Sequence, residues 1–481
     1  MAASLLFLLL LPLAPALVSS TPYAMMAKEA RPVIKQSAKA YMEQKVQVQQ
    51  GIASRSGQQM ATDSSVALVF DLSIGTSPQK LSVVMDITTE LVWAQCDACS
   101  SCIRLTPPAT PTFMPNNSSS FAEVGCTSQT CQRMIPGEHG CTHDDDPCGY
   151  PNDFYGWNTS GVLATDMFTF GTTPVPGVLF GCSGDIMVPD LAGTSGVAGF
   201  SRGPLSLVSQ LNISSFTYFI PPHGDAASKS FVSWTFDKSE RYKKKRGAAR
   251  CSPQQTWGGA ADHQFAAGQM RTGGRRSSTP LLAAKKNQLY PYLYYVNLTG
   301  LQVDGQLLTA IPPGFFDVRP TGTGGVFLSS TLPVTYLEEA AYNVLRPELV
   351  RRIQSQGVAP VTADDDVNNL CFLTRDFSGV KIPGIALVFD GDSATMELKV
   401  ENYFLAVADG QLTCLTILPS IGGSILGSLL QAGRTMTYDI HGVQLTFQTA
   451  AAGAPTPGLW SMIMATLLVW LLCPENLVYA I

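Results

Sequence analysis

The stretch VVMDITT at residues 83–89 is matched in the second half of the chain by GVFLSSTL at residues 325–332. Each is an apolar strand that runs into a hydroxyl-rich turn. Each is followed, much further along the chain, by an apolar pair and a glycine, Val197-Ala198-Gly199 and Ile425-Leu426-Gly427. An internal repeat of this span predicts two similar lobes with a cleft between them.

Short β-like segments surround these two stretches. They alternate or are continuously apolar, and Gly, Pro, Asn and Ser bound them. Examples are VALVFDLSIG, LSVVMDI, GVLATDMFTFG, LYYVNLTGLQV and VQLTFQ. Helical periodicity is scarce, and its best candidates are residues 205–211 and 338–354. We therefore predict a mainly β protein.

The composition narrows the class further. The chain has 481 residues, is 45% hydrophobic and 14% charged, and carries a net charge of −5. Such a chain is too apolar for a disordered protein, and its charge argues against nucleic-acid binding. One block differs, because residues 238–286 hold 12 of the 31 basic residues and only two acids. We interpret it as an exposed or disordered insert, and an anion- or membrane-binding patch is the alternative.

Many ordered stretches together identify a family. They are IGTSPQKLSVVMD, LVWAQCDACSSC, YGWNTSGVLATDMFTFG, VLFGC, VAGFSRGPLSLVSQL, FTYFIPP, YYVNLTGLQVDG, GTGGVFLSSTLPVTYLEEAAY, LCF, NYFLA and SILGSLLQAGRTMTYDIHGVQLTF. From about Val66 to Phe447, without the basic insert, the chain resembles the pepsin-like aspartic proteases of the plant nepenthesin type. The xylanase-inhibitor proteins of plants share this scaffold.

The resemblance implies a bilobal pepsin-like fold with a central cleft. We place the N-terminal lobe, with a Cys-rich insert, at residues 65–222 and the C-terminal lobe at 223–449. Residues 1–20 are expected to be a signal peptide and 21–64 a pro-segment or flexible arm. Residues 450–481 are expected to be a small-residue spacer and a hydrophobic tail.

The catalytic motifs of the family are incomplete here. In the family each lobe contributes one Asp from an Asp-Thr/Ser-Gly turn, and the two carboxylates share a proton for general acid–base catalysis. Asp86 stands at the first position, but Ser329 stands at the second. The turn glycines are replaced by Thr88 and Thr331, whose β-branched side chains are poorly suited to an unusual backbone conformation. We expect proteolysis to be absent or reduced by at least about 10²–10⁴-fold.

Tyr155 and Ser329 are candidates for further roles in binding or catalysis. Tyr155, followed by Gly156, matches the flap tyrosine that closes over substrate in the family, and ordinary hairpin packing is its alternative role. The flap tip, YGWNTSG at residues 155–161, is shorter than the plant pattern. Ser329 could act as a nucleophile only with a base beside it. None of the histidines, at positions 139, 143, 223, 263 and 441, has a recognised catalytic context.

The cysteines are expected to form disulfides, since a signal peptide implies an oxidising compartment. A metal site at Cys96-x2-Cys99-x2-Cys102 is the less favoured alternative. Eight cysteines of the first half resemble the Cys-rich insert of the nepenthesin type: Cys96, Cys99, Cys102, Cys126, Cys131, Cys141, Cys148 and Cys182. Cys371 and Cys414 resemble a pair in the second lobe, while Cys251 and Cys473 are left over.

Surface modification and location follow from the same reasoning. N-glycosylation sequons begin at Asn116, Asn117, Asn158, Asn212 and Asn297. The apolar stretch at 459–473 could belong to a GPI-attachment signal or to a single hydrophobic anchor. We expect an extracellular or cell-wall protein, in the secretory pathway or attached to the plasma membrane.

The sequence favours binding over catalysis. We expect a monomeric homologue of the aspartic proteases that holds a peptide or protein ligand in the cleft between the lobes. No cofactor, no metal and no nucleic acid is expected. The alternatives are an active acid endopeptidase, if the sequence is wrong at the two turns, and an inhibitor of the xylanase-inhibitor type.

Overall fold

The computed structural model describes residues 68–97, 112–134, 141, 143–150, 159–186, 194–223, 225, 230–236, 264–265, 274–283, 290–361, 370–391, 394–407 and 410–449. The expected signal peptide, the arm at 21–64 and the C-terminal tail lie outside these residues. None of the helices in the described part combines the length and apolarity needed to cross a membrane. The fold is mainly β, as the sequence predicts.

An eight-stranded sheet forms the N-terminal lobe. Its order is β1-β2-β8-β3-β7-β6-β4, with β5 paired to β6. The strands are β1 Val69–Ile74, β2 Gln79–Asp86, β3 Trp93–Gln95, β4 Ala122–Glu123, β5 Gly149–Tyr150, β6 Thr159–Phe170, β7 Thr173–Ile186 and β8 Gly196–Gly199. Helix α1 covers Gln129–Met134, α2 covers Leu207–Gln210, and a 3-10 helix covers Pro115–Asn117. Side chains of β2 are alternately buried at first and then all buried from Val83 to Asp86, so this strand ends inside the molecule.

Three smaller sheets form the C-terminal lobe. Their orders are β13-β16-β24-β17-β23, β15-β14-β19-β20 and β18-β22-β21. The strands are β13 Tyr295–Val296, β14 Leu298–Val303, β15 Gln306–Leu307, β16 Val326–Leu328, β17 Thr335–Glu338, β18 Cys371–Leu373, β19 Ile385–Phe389, β20 Thr395–Glu397, β21 Phe404–Val407, β22 Leu412–Leu415, β23 Ile417–Ser420 and β24 Ser424–Leu426. The helices are α3 Glu339–Gln354, α4 Thr374–Phe377, α5 Ser428–Gln431 and a 3-10 helix at Val400–Asn402.

A six-stranded sheet joins the two lobes, and we call it the inter-lobe sheet. Its order is β11-β10-β9-β25-β26-β12. The strands are β9 Ile213–Phe219, β10 Phe231–Phe236, β11 Gln264–Phe265, β12 Arg276–Pro280, β25 Arg434–Asp439 and β26 Gln444–Thr449. Aromatic side chains from β9 and β25 pack in its core, where the rings of Phe216 and Tyr438 stack with centroids 4.6 Å apart.

The C-terminal part of the basic block 238–286 contains a β-strand. Strand β12 lies within residues 238–286, yet it pairs antiparallel with β26 along its whole length. Its side chains alternate, with Ser277 and Thr279 buried and Arg276 exposed. The expectation of an exposed or disordered insert is therefore wrong for this end of the block. This strand has no apolar pattern in the sequence, because its buried side chains are the small hydroxyl residues Ser277 and Thr279.

Both predicted helices are confirmed with small changes at their ends. The segment 205–211 contains α2, whose N-cap residue Ser206 accepts a hydrogen bond from the Ser209 amide. The segment 338–354 forms α3, which buries an apolar face that includes Leu345, Leu349 and Ile353. The buried apolar face of α3 is the periodic pattern from which this helix was predicted.

Candidate functional site

The two repeated stretches take the same place in their lobes. Strand β2 ends at Asp86 and lies parallel to β8, with Asp86 opposite Gly199. Strand β16 lies parallel to β24, and the Ser329 amide at its end donates to Leu426 O at 3.0 Å. In both lobes a further strand, β3 or β17, pairs antiparallel with the partner strand. Asp86 and Ser329 are therefore equivalent positions of one repeated arrangement.

The glycine of each repeat is required by a close backbone approach. A Cβ atom at Gly199 would lie 2.4 Å from Glu90 O, and one at Gly427 would lie 2.2 Å from Val334 O. The chain that crosses each glycine begins four or five residues after Asp86 or Ser329. Any larger residue at either glycine would push this crossing chain and displace the turn that carries the site residue.

The two turns meet through one serine hydroxyl. Ser330 Oγ donates to Met85 O at 3.0 Å, and it accepts from the Ile87 amide at 3.2 Å. We call this place, where residues 85–89 and 329–332 meet, the turn junction. Ile87 stands opposite Ser330 but has no hydroxyl, and its side chain is fully buried in the apolar core. Within the turn junction, the side-chain hydrogen bonds that the structure describes between the two turns both involve Ser330.

Asp86 lies buried at the turn junction, with 2% of its surface exposed. Its Oδ1 accepts two hydrogen bonds from Thr88, one from the amide at 2.7 Å and one from the hydroxyl at 2.6 Å. The carboxylate is an acceptor that can bind a proton, a cation or a hydrogen-bond donor. Thr88 fixes the orientation of this group.

Ser329 is also buried, with 4% of its surface exposed. Its Oγ accepts from the amides of Leu332 at 3.1 Å and Thr331 at 3.4 Å. A serine hydroxyl takes part in hydrogen bonds but offers no carboxylate. The arrangement therefore provides one carboxylate and one hydroxyl where a two-carboxylate site would need a matching pair.

The threonines of the two turns are not strained. Among the described residues, the non-glycine positions with positive φ are Asn212, Asp304 and Val443. Neither Thr88 nor Thr331 is one of them, so the expectation that a β-branched residue fits poorly there is wrong. Both turns keep a backbone conformation that residues with a Cβ adopt freely.

A buried polar chain beneath Ser329 was not recognised from the sequence. Gln431 Nε2 donates to Ser329 O at 2.9 Å, and Tyr218 OH donates to Gln431 Oε1 at a very short distance. Tyr218 OH also lies 3.2 Å from Tyr438 OH, so the chain ends in the inter-lobe sheet. The available signal was a single glutamine in the apolar run SILGSLLQA, which gives no hint of its partners.

Several predicted residues lie away from the turn junction or outside the described part. Tyr155 and Asn158 fall in the undescribed segment 151–158. The histidines at 143, 223 and 441 are exposed, while those at 139 and 263 are undescribed, so no described histidine accompanies the buried Ser329. Among the sequon asparagines, Asn116, Asn117 and Asn212 are exposed and Asn297 is half-buried.

The described cysteines form disulfides. The bonds are Cys96–Cys182, Cys126–Cys141, Cys131–Cys148 and Cys371–Cys414. The sulfurs of Cys126, Cys131 and Cys141 lie within 4.8 Å of one another, but all three are used in these bonds. Cys99, Cys102, Cys251 and Cys473 lie outside the described residues.

Comparisons with known proteins agree with this geometry. Residues 69–233 match the family model described as xylanase inhibitor N-terminal, and residues 293–449 match xylanase inhibitor C-terminal. Nepenthesin-1, an aspartic proteinase of Nepenthes gracilis, is 31% identical over 389 residues, covering 80% of this chain and 78% of the relative. Aspartyl protease 37 of Oryza sativa subsp. japonica is 29% identical over 418 residues, covering 80% of each chain.

Solved structures share the fold. The crystal structure of edgp aligns with a TM-score of 0.56 at 17% identity, covering 81% of this chain and 92% of the other. Basic 7S globulin from soybean aligns with a TM-score of 0.56 at 18% identity, covering 81% and 95%. At these identities the likeness concerns the fold alone.

Proposed function

Because the chain belongs to the nepenthesin-type aspartic protease family, within the pepsin-like fold that xylanase inhibitors share, we propose that it binds a peptide or protein ligand without cutting it. The observation that carries the proposal is Ser329, which takes the place in its lobe that Asp86 takes in the other. Aspartic-type cleavage of a peptide needs one carboxylate as base and a second carboxyl group as acid.

Ser329 is no substitute for that second carboxyl group. A hydroxyl does not titrate at accessible pH, and its lone pairs accept the amides of Thr331 and Leu332. The described histidines, His143, His223 and His441, are exposed, so a serine-type mechanism has no buried histidine base in the described part. The loss of one acid–base partner accounts for a rate decrease of about 10²–10⁴-fold on its own.

The scaffold features that a binding protein needs are intact. Both close-packed glycines, the Ser330 bridge and the inter-lobe sheet are present, so the lobes still enclose a defined junction. The described disulfides support folding in an oxidising compartment, and we propose that the protein acts in the secretory pathway or outside the cell. The proposal includes N-glycosylation at the exposed sequons and attachment of the C-terminal tail to a membrane.

A xylanase-type partner is a second candidate. Its support is the description of the two matching family models, which name xylanase inhibitors. Inhibition of a purified xylanase by the secreted protein, measured as loss of release of reducing sugar, would favour this partner. Full xylanase activity at saturating protein concentrations would exclude it.

The proposal is tested by cleavage of an unfolded protein substrate between pH 3 and 7, with and without pepstatin. Four forms are compared: the native chain, Asp86→Ala, Ser329→Asp, and a restored form with Ile87→Thr, Thr88→Gly, Ser329→Asp and Thr331→Gly. We expect no cleavage by the native chain and pepstatin-sensitive cleavage by the restored form. Pepstatin-sensitive cleavage by the native chain that Asp86→Ala abolishes would overturn the proposal in favour of an active acid endopeptidase.

A further inference from the structure

The two threonines that replace the turn glycines are more exposed than the site residues next to them. Asp86 and Ser329 are nearly inaccessible, at 2% and 4% exposure, whereas Thr88 and Thr331 are half-buried. A ligand that approaches either turn therefore meets more surface of Thr88 than of Asp86, and more of Thr331 than of Ser329. This pattern is the same in both lobes.

Thr88 is tied to the carboxylate of Asp86 by two hydrogen bonds. Its hydroxyl donates to Asp86 Oδ1 at 2.6 Å, and its amide donates to the same oxygen at 2.7 Å. Two hydrogen bonds to one oxygen fix the side chain as well as the backbone of this residue. Moving Thr88 aside would break the hydroxyl bond, so the threonine resists displacement by a ligand.

Thr331 has the corresponding position in the second lobe. Its Oγ1 lies 3.5 Å from Ser329 Oγ, and its amide donates to the same oxygen at 3.4 Å. The next residue, Leu332, is half-buried against an apolar cluster that includes Val334, Tyr336 and Ile425. The turn therefore presents a threonine and a leucine side chain towards the surface.

Glycine is the residue that lets a backbone come close to a ligand, because it has no Cβ. A threonine at the same place adds a Cβ, a methyl group and a hydroxyl. We propose that Thr88 and Thr331 cover Asp86 and Ser329 and keep an extended peptide backbone away from them. The inference rests on the proposed function, because it explains which ligands the turn junction can bind without cleaving them. A ligand then contacts the side chains of Thr88, Thr331 and Leu332, and its backbone does not reach the side chains of Asp86 and Ser329.

The cover can be removed without touching the site residues. Pepstatin is the probe, and its affinity is measured by isothermal titration calorimetry at pH 4. Thr88→Gly with Thr331→Gly removes both side chains, while Thr88→Val with Thr331→Val keeps their bulk but not their hydroxyls. Each pair is made in the native chain and in the Ser329→Asp background, and circular dichroism confirms folding. Thr88→Ala with Thr331→Ala replaces the glycine pair if that pair fails to fold.

We expect the glycine pair to raise pepstatin affinity by at least about tenfold in the Ser329→Asp background. The valine pair, which keeps the bulk but loses the hydroxyl bond to Asp86, is expected to raise it clearly less. Equal affinity with and without the glycines, in both backgrounds, would overturn the cover. An equal gain from the valine pair would also overturn it, because bulk would then not be the obstacle. The proposed function fails separately, if the native chain cleaves the unfolded substrate in a pepstatin-sensitive manner.

Discussion

Ser330 carries the hydrogen bonds that join the two turns. Its Oγ lies 3.0 Å from Met85 O and 3.2 Å from the Ile87 amide, and all three residues are buried. In the family pattern a hydroxyl on each turn makes such bonds, but Ile87 has replaced one of them. A buried donor or acceptor that loses its partner costs about 1–3 kcal/mol. The contact between the lobes at this point therefore depends on one side chain.

We predict that Ser330→Ala lowers the free energy of unfolding by about 1–3 kcal/mol, because it strands the Met85 carbonyl and the Ile87 amide. Urea-induced unfolding followed by tryptophan fluorescence measures the change. Ser378→Ala is the matched control, since Ser378 is exposed and its hydroxyl bonds only a nearby carbonyl, Arg375 O. A decrease no larger than that of the control would contradict the role of Ser330.

At the scale of elements, a buried side-chain clamp anchors α5 behind the Ser329 turn. Asn402, 2% exposed, donates to Leu429 O at 2.9 Å and Ala432 O at 3.0 Å. Arg434, 3% exposed, donates to Asn402 Oδ1 at 3.2 Å. Burial lowers the pKa of the Arg434 guanidinium to about 10, so this cation depends on its carbonyl and amide acceptors.

We predict that Asn402→Ala lowers the free energy of unfolding by about 2–4 kcal/mol, because it leaves two carbonyls and a buried cation short of partners. The urea midpoint reports the loss. Asn297→Ala is a suitable control, because Asn297 is a half-buried asparagine for which only the backbone carbonyl has a described bond, to the Asp390 amide. A loss below about 1 kcal/mol would show that water replaces the amide of Asn402 without cost.

Helix α3 carries a pH-dependent ion pair. A hydrogen bond from Arg351 lowers the pKa of Glu348 to about 2 from its ordinary 4.5; desolvation opposes the shift and Arg352 adds to it. The Glu348 Oε1 atom lies 2.7 Å from Arg351 Nη2 and 2.6 Å from Arg352 Nε. Because the folded pKa is depressed, the stabilisation is complete above pH 4.5 and is lost as the pH falls through 2.

We therefore expect Glu348→Gln to melt at a lower temperature than the native chain at pH 6 and at the same temperature near pH 1.5. Thermal melts followed by circular dichroism at both values test this. Glu123→Gln, on the exposed strand β4, should leave the melting temperature unchanged at either pH. A constant difference between the Glu348 variant and the native chain would mean that packing, and not charge, is responsible.

The sequence predicts the elements better than it predicts their contacts. Apolar alternation identified β1, β2, β6, β14 and β26, and the repeat around Asp86 and Ser329 predicted two matching lobes. Strand β12 was missed, since its charged and small polar residues carry no apolar pattern and only pairing with β26 defines it. The link from Gln431 to Tyr218 was also missed, because a partner more than two hundred residues away leaves no local signal.

At the scale of the whole molecule, the inter-lobe sheet combines strands from both halves of the chain, so we expect it to couple the unfolding of the two lobes. Strand β9 belongs to the first half of the chain and β25 to its end, and the two pair from Ser215–Asp439 to Phe219–Thr435. Their shared core contains the stacked Phe216 and Tyr438 rings. Neither lobe can lose its share of this sheet without exposing the apolar face of the other.

We predict a single cooperative transition for both lobes in differential scanning calorimetry, with calorimetric and van't Hoff enthalpies equal. Phe216→Ala, which removes an aromatic ring from the shared core, should lower the melting temperature while keeping one peak. Two separate peaks in the native chain would show that the lobes unfold independently. The melting temperature of Phe216→Ala is compared with that of Phe327→Ala, which removes a half-buried ring within the C-terminal lobe.

The pairing of β9 with β25 also has a consequence for synthesis on the ribosome. Thr217 and Thr437, whose hydroxyls lie 3.0 Å apart, are separated by 220 residues. After β9 has been translated, its edge that pairs with β25 therefore stays uncovered until the ribosome has also translated β25. Contacts between such distant residues form slowly. The nascent first half thus needs protection from self-association, and the molecule closes only once translation has passed β26.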